Sequence, residues 1–133
     1  MDRKKILIVE DNADERLALH VRLKAVGYET FFAIDGLTSI VEAKKHRPDL
    51  IILDIRMPAG DGFVVMERLK KNPELAVIPI IVISVRDSAN FKQRALDAGA
   101  KMFFQKPADN DELVTAVRHW LGELPIEPAV YNL

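Results

Sequence analysis

Five short apolar runs are spaced along the chain: Ile6-Leu7-Ile8-Val9, Thr30-Phe31-Phe32-Ala33, Leu50-Ile51-Ile52-Leu53, Ile80-Ile81-Val82-Ile83 and Met102-Phe103-Phe104. Four of them are continuously apolar, mostly β-branched or aromatic, with no polar alternation. Strands of that kind are covered on both faces, as in a parallel sheet between helix layers. Pro48-Asp49 precedes one run and Pro79 another, where a helix cannot continue and a strand can begin. The segments between them predict helices near 13–26, 37–46, 62–71, 88–98 and 110–122. Gly27 and Gly99 stand where the first and fourth helices end. Asp109 with Glu112 forms a capping-box pattern ahead of the fifth, whose Leu113, Val117 and Trp120 or Leu121 share one stripe. This alternation predicts an α/β fold, a doubly wound three-layer sandwich with five strands, five helices and right-handed crossovers.

The first predicted helix carries two apolar stripes. Leu19, Leu23 and Val26 fall on one side, and Leu17 and Val21 roughly opposite. Both cannot face the sheet.

A length of 133 residues suits one domain, and 49% hydrophobic with 29% charged residues excludes a disordered chain. There is no cysteine, which excludes disulfide scaffolds, thiolate metal sites and cysteine nucleophiles. Nineteen basic against twenty acidic residues leave a net charge of −1, so direct nucleic-acid binding and a polybasic membrane patch are not expected. The apolar stretch after the basic start ends at Val9, short of the roughly 7–15 residues of a secretory signal, so a cytoplasmic location is expected. The domain is expected to span 1–122. The segment 123–133, with Pro125 and Pro128 and no periodicity, reads as a tail or the start of a linker.

The chemistry follows directly after the apolar runs. Glu10-Asp11 follows the first, Asp54 the third, Ser84 the fourth and Gln105-Lys106 the fifth. In an open α/β sheet the carboxyl ends of the strands form the ligand crevice. Three carboxylates, one hydroxyl and one lysine therefore converge on one edge. Glu10, Asp11, Asp54 and Lys106 sum to −2, and two like charges ~4 Å apart repel by about 4 kcal/mol at an effective dielectric near 20. A hard divalent cation with oxygen ligands, Mg²⁺ first and Mn²⁺ next, cancels that charge. Such a metal beside a free carboxylate and a lysine is suited to phosphoryl transfer. Asp54 is the candidate nucleophile, because a carboxylate is already ionised at neutral pH. His20, His46 and His119 are scattered over helices and read as ordinary helix residues.

Glu10-Asp11-Asn12, Asp54-Ile55-Arg56-Met57-Pro58-Ala59-Gly60-Asp61-Gly62, Ser84 and Lys106-Pro107 stand in an order and spacing that closely resembles the receiver domain of two-component response regulators. The resemblance runs over about residues 3–122. It implies a flavodoxin-like sheet in the order 2-1-3-4-5. It implies that Asp54 accepts a phosphoryl group from the phosphohistidine of a histidine kinase or histidine phosphotransfer protein. Glu10, Asp11, Asp54 and the backbone carbonyl of Arg56 would hold Mg²⁺, and Lys106 would contact the phosphoryl oxygens. Ser84 would hydrogen-bond the phosphoryl group once it is present and draw its loop along, with Phe103 as the aromatic switch residue. The face around the fourth helix, fifth strand and fifth helix would report the change. Such a domain promotes only its own phosphorylation and dephosphorylation and is not otherwise an enzyme.

Within that resemblance, Pro58 suggests a rigid bend, Gly62 supports the turn into the third helix, and Lys106-Pro107 matches a cis peptide. Leu17, Val21 and Pro107 occupy the face that docks the phosphodonor. The chain departs from the usual pattern in several places. Glu10 stands where Asp is more frequent, Phe103 where Tyr is frequent, and Val85 where a small residue is common. Arg56 and Arg86 lie at positions that tune phosphoryl lifetime, where they would obstruct attacking water and prolong the phosphorylated state. Lys101 replaces an acidic residue of a common dimerising subfamily, so a monomer or weak dimer is expected.

Three other readings compete. An aspartate-nucleophile phosphohydrolase needs a second Asp two residues after the nucleophile, where this chain has Arg56. A flavodoxin-like nucleotide binder needs a first loop rich in small residues, and Glu10-Asp11-Asn12-Ala13-Asp14-Glu15 would repel phosphate. A receiver-like module that binds partners without phosphorylation would have no need of the full acceptor set.

Overall fold

The alternation of apolar strands and amphipathic helices builds a single parallel sheet in this computed structural model, which describes residues 3–56, 62–85 and 89–123. The elements are β1 (Lys5–Val9), α1 (Ala13–Ala25), β2 (Glu29–Ala33), α2 (Gly36–His46), β3 (Leu50–Asp54), α3 (Gly62–Lys71), β4 (Ile80–Ser84), α4 (Ala89–Asp97), β5 (Met102–Gln105) and α5 (Asn110–Trp120). The strand order is β2-β1-β3-β4-β5, all neighbours parallel. Pro58, Arg86 and the tail beyond Glu123 lie outside the described residues.

The continuous apolar runs are explained by two separate cores. Leu7, Val9, Ile51, Leu53, Val82 and Phe103 face one side of the sheet, where α2, α3 and α4 supply Ala43, Met66 and Ala95. The alternate residues Ile6, Ile8, Ile52, Ile81 and Phe104 face the other, where α1 and α5 supply Leu23, Leu113 and Val117. Each fully buried Ile or Leu contributes about 1.5–3 kcal/mol relative to exposure. The edge strand β2 is the exception, with Glu29 and Phe32 exposed.

The helix ends follow local chemistry. Asn12, Asp35 and Asp109 cap α1, α2 and α5, their side chains accepting from the amides of Glu15, Thr38 and Glu112. Gly27 and Gly99 take φ of 98° and 113°, as their positions predict. At the end of α2 the left-handed residue is Arg47, which nothing in its type announces. Val26 departs from the expected buried stripe of α1. The helix ends at Ala25, Val26 becomes its C-cap, and the turn into Gly27 leaves it 36% exposed. Leu23 is buried, Leu19 packs against the same core, and Leu17 and Val21 face outward. Among the described residues no helix is long and apolar enough to cross a membrane.

Candidate functional site

Every strand of a parallel sheet ends at the same edge, so the residues that terminate β1, β3, β4 and β5 meet there. Glu10 continues β1 and is buried, its amide donating to the carbonyl of Ala33 at 3.0 Å. Asp54 is the last residue of β3 and is buried. Ser84 ends β4, is fully buried and is engaged within the protein; its carbonyl accepts from the amide of Lys106 at 2.7 Å. A cis Lys106-Pro107 bond follows β5.

The Lys106 ammonium sits among three carboxylates. Its Nζ lies 2.5 Å from Glu10 Oε1, 3.0 Å from Asp54 Oδ2 and 2.8 Å from Glu15 Oε2. Oxygens of Glu10, Glu15 and Asp54 all lie within 4.8 Å of one another. Among the described residues, two of the three carboxylates are buried and a single ammonium faces them, so this cluster carries excess negative charge. Burial pushes the Glu10 carboxyl up to about 8, its bond from Lys106 opposes the shift, and the Asp54 charge adds to it. Burial alone would lower Lys106, but hydrogen bonds to Glu10, Glu15 and Asp54 outweigh it and hold the ammonium above the ordinary lysine range. An all-oxygen donor set short of positive charge is the chemistry that a hard divalent cation completes.

The sequence marked Glu10, Asp54, Ser84 and Lys106, and the structure brings them to one edge. The Asp11 carboxylate lies at the exposed rim, outside the group of three. Glu15 was missed. It sits in the first turn of α1, five residues after Glu10, and the Asn12 cap turns the helix so that its long side chain reaches Lys106. The signal was there in the acidic run Asp11 to Glu15, a run that repels phosphate but also concentrates a cation.

Arg56 is exposed, and its amide donates to Asp54 Oδ1 at 2.9 Å, fixing one oxygen of that carboxylate. Val85 is exposed just past β4 and lines a cavity of about 380 Å³ with Glu10, Glu15, Lys106 and Pro107. Phe103 is buried on the α4 side, 6.3 Å edge-on from Phe91, which packs at 5.4 Å against Phe63. The Arg94 guanidinium lies 3.8 Å over Phe63. The three histidines stay out of the site: His20 bonds Thr30 at 2.6 Å, His46 stacks on Phe31, and His119 packs edge-on to Trp120. Gly62 has a different basis from the turn expected of it. A Cβ there would meet the Ile55 Cα at 2.5 Å, so only glycine lets α3 start against the strand end that carries Asp54.

Comparison with known proteins agrees with this geometry. Residues 6–118 match the response regulator receiver domain family. Response regulator PleD of Caulobacter vibrioides (strain NA1000 / CB15N) is 39% identical over 115 residues, covering 86% of this chain and 25% of that protein. The chain thus spans about a quarter of that relative's length. Sporulation initiation phosphotransferase F of Bacillus subtilis (strain 168) is 36% identical over 121 residues, covering 91% of this chain and 96% of that protein. Among solved structures, the receiver domain of sensor histidine kinase PA1611 from Pseudomonas aeruginosa PAO1 superposes with a TM-score of 0.84 at 26% identity, covering 91% and 99% of the two chains. That structure has a magnesium ion coordinated in its active-site cleft. With its strand order, its acidic edge and this match over most of its length, the chain belongs to the response regulator receiver domains of two-component signalling systems.

Proposed function

We propose that this receiver is a phosphoacceptor switch in which Asp54 takes a phosphoryl group from a partner's phosphohistidine. The observation that carries the reading is the Lys106 ammonium held between Asp54 and two further carboxylates at the sheet edge. A carboxylate oxygen of Asp54 attacks phosphorus, a P–O bond forms, the P–N bond breaks, and the imidazole leaves with its electron pair. Mg²⁺, held by Glu10, Asp11, Asp54 and the Arg56 carbonyl, would supply positive charge to the phosphoryl oxygens, and Mn²⁺ would serve in the same way. The Arg56 amide orients Asp54 Oδ1, leaving Oδ2, now paired with Lys106, as the oxygen to be modified. Lys106 then follows its negative partner onto the phosphoryl group. Ser84 approaches the new oxygens, and Phe103 moves into the space behind it, away from Phe91.

The phosphodonor is a histidine kinase or histidine phosphotransfer protein that docks over Leu17, Val21 and Pro107. The output face is that of α4, β5 and α5. The protein acts in the cytoplasm, as a switch that catalyses only its own phosphorylation and dephosphorylation. Incubation with acetyl phosphate and Mg²⁺ tests the reading. Intact mass spectrometry should show one added phosphoryl group in the native chain and none in Asp54→Asn or in excess EDTA. Unmodified native protein would refute it.

A further inference from the structure

We propose that the face formed by α1 and α5 binds a second copy of this chain about a two-fold axis. Both helices run back against parallel strands, so they are parallel to each other, with their N-terminal ends at the acidic edge. Between them lies a groove of about 900 Å³. Its floor is apolar, with Leu17 57% and Val21 59% exposed beside Ala18 and Val114. Nothing within the described residues covers these side chains.

Charge decides the occupant. At the N-terminal end the groove is flanked by Asp14 on α1 and Asp111 on α5; at the other end by Arg22 on α1 and Arg118 on α5. At 1.5 Å per residue the acidic and basic bands are about 12 Å apart on α1 and about 10 Å apart on α5. The bands therefore line up across both helices. A two-fold axis through the middle of the groove lays the acidic band of one copy on the basic band of the other, twice over. The residues nearest that axis, Ala18 and Val114, are small enough for the helices to approach closely. A surface that is its own electrostatic complement under a two-fold rotation is the signature of an isologous contact. Arg118 already lies beside the Tyr28 hydroxyl, which donates to Glu123 at 2.5 Å, so Arg22 is the freer cation and the better test. The pairing is small and rim-charged, a transient rather than obligate contact. It covers Leu17 and Val21, the residues proposed above for donor docking, so the two occupants exclude one another. The pairing stands without the phosphoacceptor reading; only the exclusion rests on it.

Sedimentation velocity across about 1 µM to 1 mM protein tests the contact. The native chain should associate reversibly. Asp14→Arg and Arg22→Asp alone should each lose association at least about tenfold, because each sets like charges against one another. An equimolar mixture of the two variants should recover it. In the mixed pair the arginine introduced at position 14 of one variant faces the aspartate introduced at position 22 of the other, while the unaltered Arg22 and Asp14 face one another as in the native pair. Recovery also shows that both variants fold. A native chain that is monomeric throughout, single variants that associate like the native chain, or a mixture that stays monomeric would each overturn the proposal. Phosphoryl uptake from acetyl phosphate is indifferent to this face, so the failure of one idea leaves the other standing.

Discussion

Replacing Gly62 by alanine should damage stability and phosphoryl uptake together, through one contact. The added methyl would sit 2.5 Å from the Ile55 Cα, 2.7 Å from its Cγ1 and 2.9 Å from its carbonyl oxygen. Two of these atoms are backbone, and Ile55 is buried in the core, so no side chain can swing aside. The Gly62 amide also donates to the Ile55 carbonyl at 3.0 Å, which ties the start of α3 to this point. Relief requires a shift of nearly 1 Å in the residue next to Asp54. Overpacking of this kind costs about 2 kcal/mol, or roughly 6–10 °C in Tm for a domain of this size. A displacement of about 1 Å at a reacting group lowers its rate up to ~100-fold, so uptake from acetyl phosphate should fall about 10–100-fold. Gly27→Ala is the control. Its φ of 98° strains any side chain, yet among the described residues nothing lies within 4 Å of the new Cβ. It should cost about 1 kcal/mol and leave uptake unchanged. Thermal melts and intact mass after timed incubation read both effects. A Gly62→Ala protein with native Tm and native uptake would refute the reasoning.

Three further outcomes are expected. Glu15→Gln should weaken Mg²⁺ binding by calorimetry, by no more than about tenfold because Glu15 is half exposed and acts through a water-like dielectric; unchanged affinity would separate Glu15 from the cation site. In EDTA, the raised Glu10 pKa means that the folded chain binds a proton more tightly than the unfolded chain between pH 4.5 and about 8. Stability should therefore fall as pH rises through that window, by at most ~1.4 kcal/mol per pH unit, and Glu10→Gln should flatten the dependence in urea melts at several pH values. Arg56→Ala and Arg86→Ala should each speed loss of the phosphoryl group, and the double variant should lose it fastest; unchanged or slower loss by mass spectrometry would contradict the expected shielding from water.

The sheet was legible because burial on both faces demands continuous apolar strands, and runs such as Leu50 to Leu53 have no other soluble use. The edge residues followed, since topology alone carries Glu10, Asp54, Ser84 and Lys106 to one side. What escaped was set by contacts between distant parts of the chain. Glu15 looks like one more solvated carboxylate of a helix start until the loop after β5 delivers Lys106 to it, 91 residues on. Gly62 gives no hint of the Ile55 backbone pressed against it. Val26 belongs to the buried stripe by angle, but a helix that ends one residue earlier turns it out. The left-handed Arg47 is likewise a tertiary choice, made where α2 must turn back toward β3.

The central claim is that Asp54 carries the phosphoryl group and needs a divalent cation to receive it. Borohydride reduces an acyl phosphate to an alcohol, which turns a modified aspartate into homoserine. Peptide mass mapping after acetyl phosphate, Mg²⁺ and borohydride should find homoserine at position 54 and nowhere else, and no homoserine when EDTA replaces Mg²⁺. Homoserine at another carboxylate, or at position 54 to the same extent without the cation, would contradict the account.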